Sequence, residues 1–408
     1  MVCKIPLRGC LLIAVIFVLY INRVSASPTL YEFVTQTWES NPSIQAAKAA
    51  IDVAQSQKFA ADLPLYNPEF DVELERSDIN TVVLGIKQTL DWGDKRTPIT
   101  NIAVSQIKIK KAELDLQRLL LAERLLHILV NLNGIHQVNN LAKQRVNLMQ
   151  NFVDNTRKRQ LAGDVGLQDI ALARVALSEA KIQFGMSLAE IATYEADLQE
   201  LSGNADTNFP DLSETLPQLS SMLKPDQYIK NNPNIVILKT ELAAARFNIK
   251  LAKAQRKADP TFGIRAGMED NNALLGVSFS MPLNFRNNYS AHVDVENNKA
   301  VEIENILLSE RRRSLAKVKG AWKTYRLTYD TVKSWQEDGL SSLNEQFELV
   351  QTLWKSGEMN TSEYLVQAKQ NVDAQEAAVE LNKQQWLAWI NWLVVTSQIE
   401  KWIQQTNR

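Results

Sequence analysis

The sequence predicts a mainly α-helical protein with a small β part: long coiled-coil hairpins and four short strands, arranged as two copies of one plan. Three observations carry that prediction. Apolar residues step by seven through long stretches free of proline, four segments of about ten residues alternate apolar and polar with period two, and the landmarks of the first half return in the same order about 190 residues later. Glycine (14) and proline (12) are too scarce in 408 residues for a loop-rich all-β chain or a disordered one.

Taken in chain order, residues 1–26 read as a secretory signal peptide. Lys4 and Arg8 form a basic start, Cys10 to Ile21 is an apolar run of 12, and Val24-Ser25-Ala26 is a small-residue cleavage site. Twelve residues are too few to cross a hydrocarbon core of about 30 Å, which takes about 20. Processing removes Lys4, Arg8 and Arg23 but no acid, leaving 42 Lys+Arg against 46 Asp+Glu. A near-neutral balance of this kind argues against a nucleic-acid partner. Cys3 and Cys10 leave with the peptide, so the mature chain has no thiol, no disulfide and no lipid acceptor at its new N-terminus. It has no later apolar run of 18 residues, so entry into a membrane would have to be as β-strands.

The repeat divides the mature chain into residues 27–202 and 231–408, joined by a connector at 203–230 that holds Pro210, Pro217 and Pro225. Asn41-Pro42-Ser43-Ile44 recurs as Asn232-Pro233-Asn234-Ile235, each opening an Ala-rich amphipathic stretch. Pro68-Glu69-Phe70 recurs as Pro260-Thr261-Phe262, and Ala162-Gly163-Asp164-Val165 as Ser356-Gly357-Glu358-Met359.

Each half then carries a strand pair, within 69–90 and 260–283. Phe70, Val72 and Leu74 alternate with Glu69, Asp71, Glu73 and Glu75, and Val82, Leu84 and Ile86 follow the Ser77-Asp78-Ile79-Asn80 turn. In the second half Phe262, Ile264, Ala266 and Met268 alternate with Gly263, Arg265, Gly267 and Glu269; Leu275, Val277, Phe279 and Met281 follow Asp270-Asn271-Asn272. Ten residues is the length of a tilted transmembrane strand. The same alternation also suits hairpins laid on a soluble core, and alternation alone does not choose.

A helical hairpin completes each half, at 99–202 and 290–403. Ile107, Leu114, Leu121, Ile128 and Ile135 step by seven in a stretch of about 60 residues, roughly 90 Å long. Ile170, Leu177, Phe184, Ile191 and Leu198 continue after Gly163, with Ala173, Ala180, Ser187, Tyr194 and Leu201 beside them. The second half repeats the seam with Leu308, Leu315, Trp322 and Tyr329 and with Val318, Tyr325 and Val332, then Leu365, Val372, Val379, Trp386 and Leu393 beyond Gly357. Four strands cannot close a barrel and lipid tolerates no open edge, so a membrane form pools strands from several copies, eight from two or twelve from three.

The twofold repeat, the paired Asn-Pro segments, the strand pairs and the tip turns together resemble the TolC family of outer-membrane channels over nearly the whole mature chain. That resemblance implies a homotrimer whose twelve strands form one β-barrel in the outer membrane of a Gram-negative bacterium. It also implies an α-barrel tunnel reaching into the periplasm, and partnership with a periplasmic adaptor and an inner-membrane RND-type pump. Gln88 to Arg96 and Asn272 to Asn287 are similar to the cation-efflux branch that includes CzcC, which implies export of metal cations. A duct for drugs or type I secretion is the alternative within the family. From another class, the rival is a soluble periplasmic coiled-coil adaptor, although such an adaptor typically carries one helical hairpin where this chain has two.

Catalysis has no support in the residues. His127, His136 and His292 lie inside helical patterns and read as surface or packing residues, no cysteine survives processing, and no P-loop, G-x-S-x-G or G-x-G-x-x-G motif occurs. No cofactor and no metal site is expected. By resemblance, Asp169 and Glu363, each six residues after a tip glycine, fall at the periplasmic constriction where the family carries acidic gate residues, and Trp354 falls where an aromatic is common. A carboxylate in the first turn of a helix also favours the helix dipole, which is an independent reason for both acids. Gly163 and Gly357 fit a reversal that needs positive φ, and the turns they make are the expected docking surface for the adaptor. If a barrel forms, Glu69, Asp71, Glu73 and Glu75 face its lumen, where carboxylates favour cations. Tyr66, Trp92, Phe285 and Tyr289 flank the strands as an aromatic girdle would. The tryptophans at 386, 389, 392 and 402 suit packing rather than ligand binding.

Overall fold

The computed structural model describes residues 28–203, 209–212, 215–219 and 225–406. The expected signal peptide, both cysteines and parts of the connector lie outside the described residues. Element order is α1 (Leu30–Ser40), α2 (Pro42–Asp62), β1 (Glu69–Arg76), β2 (Asn80–Thr89), α3 (Arg96–Leu161) and α4 (Leu167–Ser202). After the connector come α5 (Pro225–Ile229), α6 (Pro233–Gln255), β3 (Thr261–Glu269), β4 (Asn272–Ser280) and α7 (Ser290–Ser334). A π-helical turn (Trp335–Gly339) leads into α8 (Leu340–Ser356), followed by α9 (Thr361–Val395) and α10 (Ile399–Thr406).

The repeated Asn-Pro pair is a helix start. Asn41 Oδ1 accepts from the Ser43 amide at 3.0 Å and Asn232 Oδ1 from the Asn234 amide at 3.0 Å, while Pro42 and Pro233 occupy the first helical position. There the missing N–H has no cost and the fixed φ is already helical.

In α3, Leu114, Leu121, Ile128, Ile135, Ala142, Met149 and Thr156 are all buried, an unbroken seven-residue period along most of 66 residues. Facing it, α4 buries Ala173, Ala180 and Ser187, small residues that let the two backbones approach. Among the four flanking Ile170, Leu177, Phe184 and Ile191, only Ile191 is buried. The second hairpin is not the continuous copy the sequence predicts, because the π turn interrupts its first helix. Mid-height, Tyr325 is fully buried and donates to the Pro217 carbonyl at 2.6 Å, and Trp389 and Trp392 are 5% and 3% exposed. The tryptophans therefore pack, with Trp386 and Trp389 edge-on to Trp402.

The four strands form one antiparallel sheet in the order β1-β2-β3-β4. The join between β2 and β3, Thr81↔Glu269 through Thr89↔Thr261, unites the two repeats in a single sheet whose edges are β1 and β4. Among the described residues, no helix is long and apolar enough to cross a membrane.

Candidate functional site: the strand sheet and the helical tips

Register assigns every strand side chain to one of two faces. One face carries the rows Phe70–Ile86–Ile264–Val277, Val72–Leu84–Ala266–Leu275 and Leu74–Val82–Met268–Ala273. It is open to the surroundings in this chain, with Leu275 87% and Val277 84% exposed. A contiguous apolar face of that extent is not a water-facing surface of a monomer, and no core of the same chain covers it.

The opposite face is polar and more enclosed. Its rows are Glu69–Lys87–Gly263–Ser278, Asp71–Gly85–Arg265–Gly276, Glu73–Val83–Gly267–Leu274 and Glu75–Thr81–Glu269–Asn272. Glycines sit on this side only, and at Gly267 the reason is explicit: an added Cβ would lie 2.0 Å from the Val82 carbonyl oxygen. The β2 backbone thus comes too close to β3 here for any side chain larger than glycine's.

The acidic row singled out in the sequence thus lies together on the polar face, but part of its charge is paired. Lys87 Nζ lies 2.7 Å from Asp71 Oδ2 and Arg265 Nη1 lies 3.5 Å from Glu73 Oε2. Register adds Glu269 beside Glu75 through Thr81, a fifth carboxylate that the sequence reading did not single out. Its signal was the turn: Asp270 has φ 51° and its backbone N–H donates to the Asn80 carbonyl at 2.8 Å, which fixes Glu269 opposite Thr81. Among the described residues, no cluster of three or more His, Cys, Asp or Glu is arranged to hold a metal ion.

At the base of the sheet, three connectors meet. Tyr66 donates its hydroxyl to Asp259 Oδ2, which also receives Lys95 Nζ; the Lys95 and Asp259 side chains are 14% and 6% exposed. Burial raises the Asp259 pKa, but hydrogen bonds from Lys95 and Tyr66 outweigh that and hold it below the usual carboxylate range. The bond to Asp259 pushes the Tyr66 phenol up to about 12. Of the four expected girdle aromatics, Trp92 (67%) and Phe285 (79%) are widely exposed. Tyr66 instead turns inward to Asp259, and Tyr289 is half-buried with its ring 6.0 Å from that of His292. His136 and His292 are exposed and His127 is half-buried.

The far ends of the helices repeat one another closely. Gly163 (φ 84°) and Gly357 (φ 82°) end α3 and α8, and the Asp164 and Glu358 amides reach back to the carbonyls of Arg159 and Leu353 at 2.9 and 3.0 Å. Both are Schellman turns that require the left-handed conformation. Asp169 then accepts from the Gly166 amide at 3.0 Å, while Glu363 accepts from the Asn360 amide at 3.4 Å and its own amide donates to Asn360 Oδ1 at 2.8 Å, which completes a capping box in the second hairpin only. Within the chain, then, the first-turn role is the one these carboxylates fill.

Trp354 is placed differently from the sequence-based expectation. It is 6% exposed and packs inside the tip, 5.2 Å from Phe152 and 5.0 Å from Tyr364 between ring centroids, with the Arg159 guanidinium 4.7 Å from its ring centroid. It ties the two hairpins together and offers no free face to a constriction. Phe152, Tyr364 and Arg159 were not singled out in sequence; the spacing of Phe152 one turn before the buried Thr156 is their only signal.

Residues 34–204 match the protein family described as Outer membrane efflux protein. Comparison with curated proteins gave no match. The fold is that of solved outer-membrane channels. CusC, crystallised in a study of folding and transmembrane channel formation, superposes with TM-score 0.77 at 14% identity, covering 90% of this chain and 92% of that one. The Campylobacter jejuni CmeC outer membrane channel gives TM-score 0.73 at 15% identity over 93% and 89%. The open state of the Neisseria gonorrhoeae MtrE outer membrane channel gives 0.66 at 15% over 90% and 89%.

Proposed function

We propose that the chain, after removal of residues 1–26, is one protomer of a homotrimeric exit duct in the outer membrane of a Gram-negative bacterium. It continues into the periplasm and serves a tripartite efflux system with a periplasmic adaptor and an inner-membrane RND-type pump. One observation carries this reading: a four-stranded sheet with three apolar cross-strand rows on its outer face, a polar, glycine-bearing inner face and two unpaired edges. Lipid satisfies the outer face, and pairing β1 of one copy with β4 of the next satisfies both edges. The match of residues 34–204 to the outer membrane efflux family supports it, as does the shared channel fold. The duct does no chemistry; energy comes from the pump.

Metal cations are the proposed substrate class. Five inner-face carboxylates against Lys87 and Arg265 leave the lumen negative, and the segments 88–96 and 272–287 carry the likeness to the CzcC branch. Asp169 and Glu363 are the proposed gate, since exposed polar contacts at about 0–1 kcal/mol each hold a ring of tips shut yet release it readily. The Gly163 and Gly357 turns are the proposed adaptor contact. Planar-bilayer recording of the purified mature protein under a salt gradient tests the duct: discrete cation-preferring conductance from heat-sensitive trimers is expected, and a soluble, silent monomer would replace the duct with the periplasmic coiled-coil adaptor.

A further inference from the structure

A basic cavity lies beside the base of the sheet. Past Thr89 the chain turns through Gly93, which is buried against the end of α6: an added Cβ there would lie 2.7 Å from the Ala254 carbonyl oxygen. That close approach sets Asp94 and the first turns of α3 beside α6 and leaves a cavity of about 390 Å³ between them, lined by Lys250, Lys253 and Lys257. All three lysines are exposed. Among the described residues, their side chains form no ion pair and no hydrogen bond; Lys250 Nζ lies 5.2 Å from the Phe247 ring centroid. Asp94 lines the same cavity, and its Oδ1 accepts from the Thr97 hydroxyl at 2.6 Å.

The fold itself does not call for these cations. Counted from the Asn-Pro start of each helix, the places of Lys250 and Lys253 are held in α2 by Phe59 and Asp62, and α2 leads into its strand without them. Three ammonium groups around one cavity repel one another, and an anion seated between them removes that repulsion. The position of the cavity says which anion is at hand. It lies just beyond the last strand pair, Thr89↔Thr261. Trp92, Leu283 and Phe285, which follow the ends of β2 and β4 closely, are 67%, 72% and 79% exposed. Exposed aromatics beside an apolar sheet face mark the headgroup level of a bilayer, where basic side chains recruit anionic lipid. The neighbouring cavity that holds the Lys95–Asp259 pair is lined by the polar-face residues Thr89, Thr261 and Ser280. The basic cavity includes none of those residues, and Lys257 stands in the wall between the two.

We propose that this cavity is a binding site for the phosphate headgroup of an anionic phospholipid from the leaflet around the base of the sheet, held by Lys250, Lys253 and Lys257. The proposal rests on the duct reading, which puts a bilayer against the sheet. Native mass spectrometry of purified trimers titrated with phosphatidylglycerol or phosphatidylcholine tests it. The variant is Lys250→Gln with Lys253→Gln and Lys257→Gln; the control is Lys317→Gln with Lys319→Gln and Lys323→Gln, which removes the same charge from exposed positions of α7. Phosphatidylglycerol should bind wild type and control alike and the cavity variant about tenfold more weakly or less, with phosphatidylcholine indifferent to all three. Equal phosphatidylglycerol binding by the cavity variant and wild type would overturn the site. Displacement of the lipid by an equal concentration of inorganic phosphate would overturn it too, by assigning the cavity to a free anion. Conducting trimers with unchanged lipid binding would remove this site alone, whereas a soluble, silent monomer would remove the duct and the site together.

Discussion

Leu275→Arg separates a lipid-facing sheet from a water-facing one. Leu275 stands mid-strand in β4, 87% exposed, in the apolar row with Val72, Leu84 and Ala266. If that face meets hydrocarbon, an arginine there costs about 2–4 kcal/mol per protomer, roughly 30-fold or more in the folded fraction, and a trimer incurs it three times. If the face meets water, exchanging an exposed leucine for a charge stays within about 0.5 kcal/mol. The control is Thr81→Arg, on the inner face between Glu75 and Glu269, where a cation gains two carboxylates. Both variants would be expressed with the native leader and the membrane fraction heated in steps before electrophoresis. The expected result is trimer loss for Leu275→Arg at temperatures that spare wild type and Thr81→Arg. Equal trimer stability for the two variants would refute the lipid-facing assignment and the barrel with it.

Four further outcomes are expected. Changing Glu69, Asp71, Glu73 and Glu75 to their amides leaves Glu269 against Lys87 and Arg265 on the inner face, so the reversal potential under a salt gradient should change sign from cation to anion preference; an unchanged potential would detach selectivity from this face. Asp169→Ala with Glu363→Ala should raise resting conductance, while the loss of their first-turn hydrogen bonds alone would cost about 1 kcal/mol each and leave conductance as it was. Gly267→Val should lower trimer stability sharply, because its side chain would enter the space of the Val82 carbonyl; a stable variant would contradict the close approach of β2 to β3. Tyr66 is held neutral, with its folded pKa raised to about 12, so its contribution is complete below the unfolded value near 10 and is lost as pH rises from there through about 12. Tyr66→Phe should flatten the fall of melting temperature across that window.

What the sequence disclosed and what it hid divide along physical lines. Heptads in α3 and alternation in β1–β4 were legible because each rests on a period that every residue reports. The two tip glycines were legible because a helix reversal needs positive φ. The π turn was hidden: a single inserted residue leaves both flanking stripes looking helical, and only the burial of Val350 in place of Leu349 reveals it. Trp354 turns into the tip, since a position beside a tip glycine does not say which way a ring points, and Phe152 and Tyr364 draw it inward. The Lys87–Asp71 and Arg265–Glu73 pairs were hidden because they depend on cross-strand register, as does the contribution of Glu269. Tyr66 looked like a girdle aromatic until its partner Asp259, 193 residues away, was in view.

The pairing of β2 with β3 also sets a schedule. Each hairpin of strands is local, with three residues between β1 and β2 and two between β3 and β4. The seam that joins them links Thr81 to Glu269 and so waits until α3, α4, the connector and α6 have all been made. Contacts this distant in sequence form late. In the duct proposed above, the helices can therefore condense first while the greasy sheet is still unassembled, and the surface that would aggregate in water is the last to come into being.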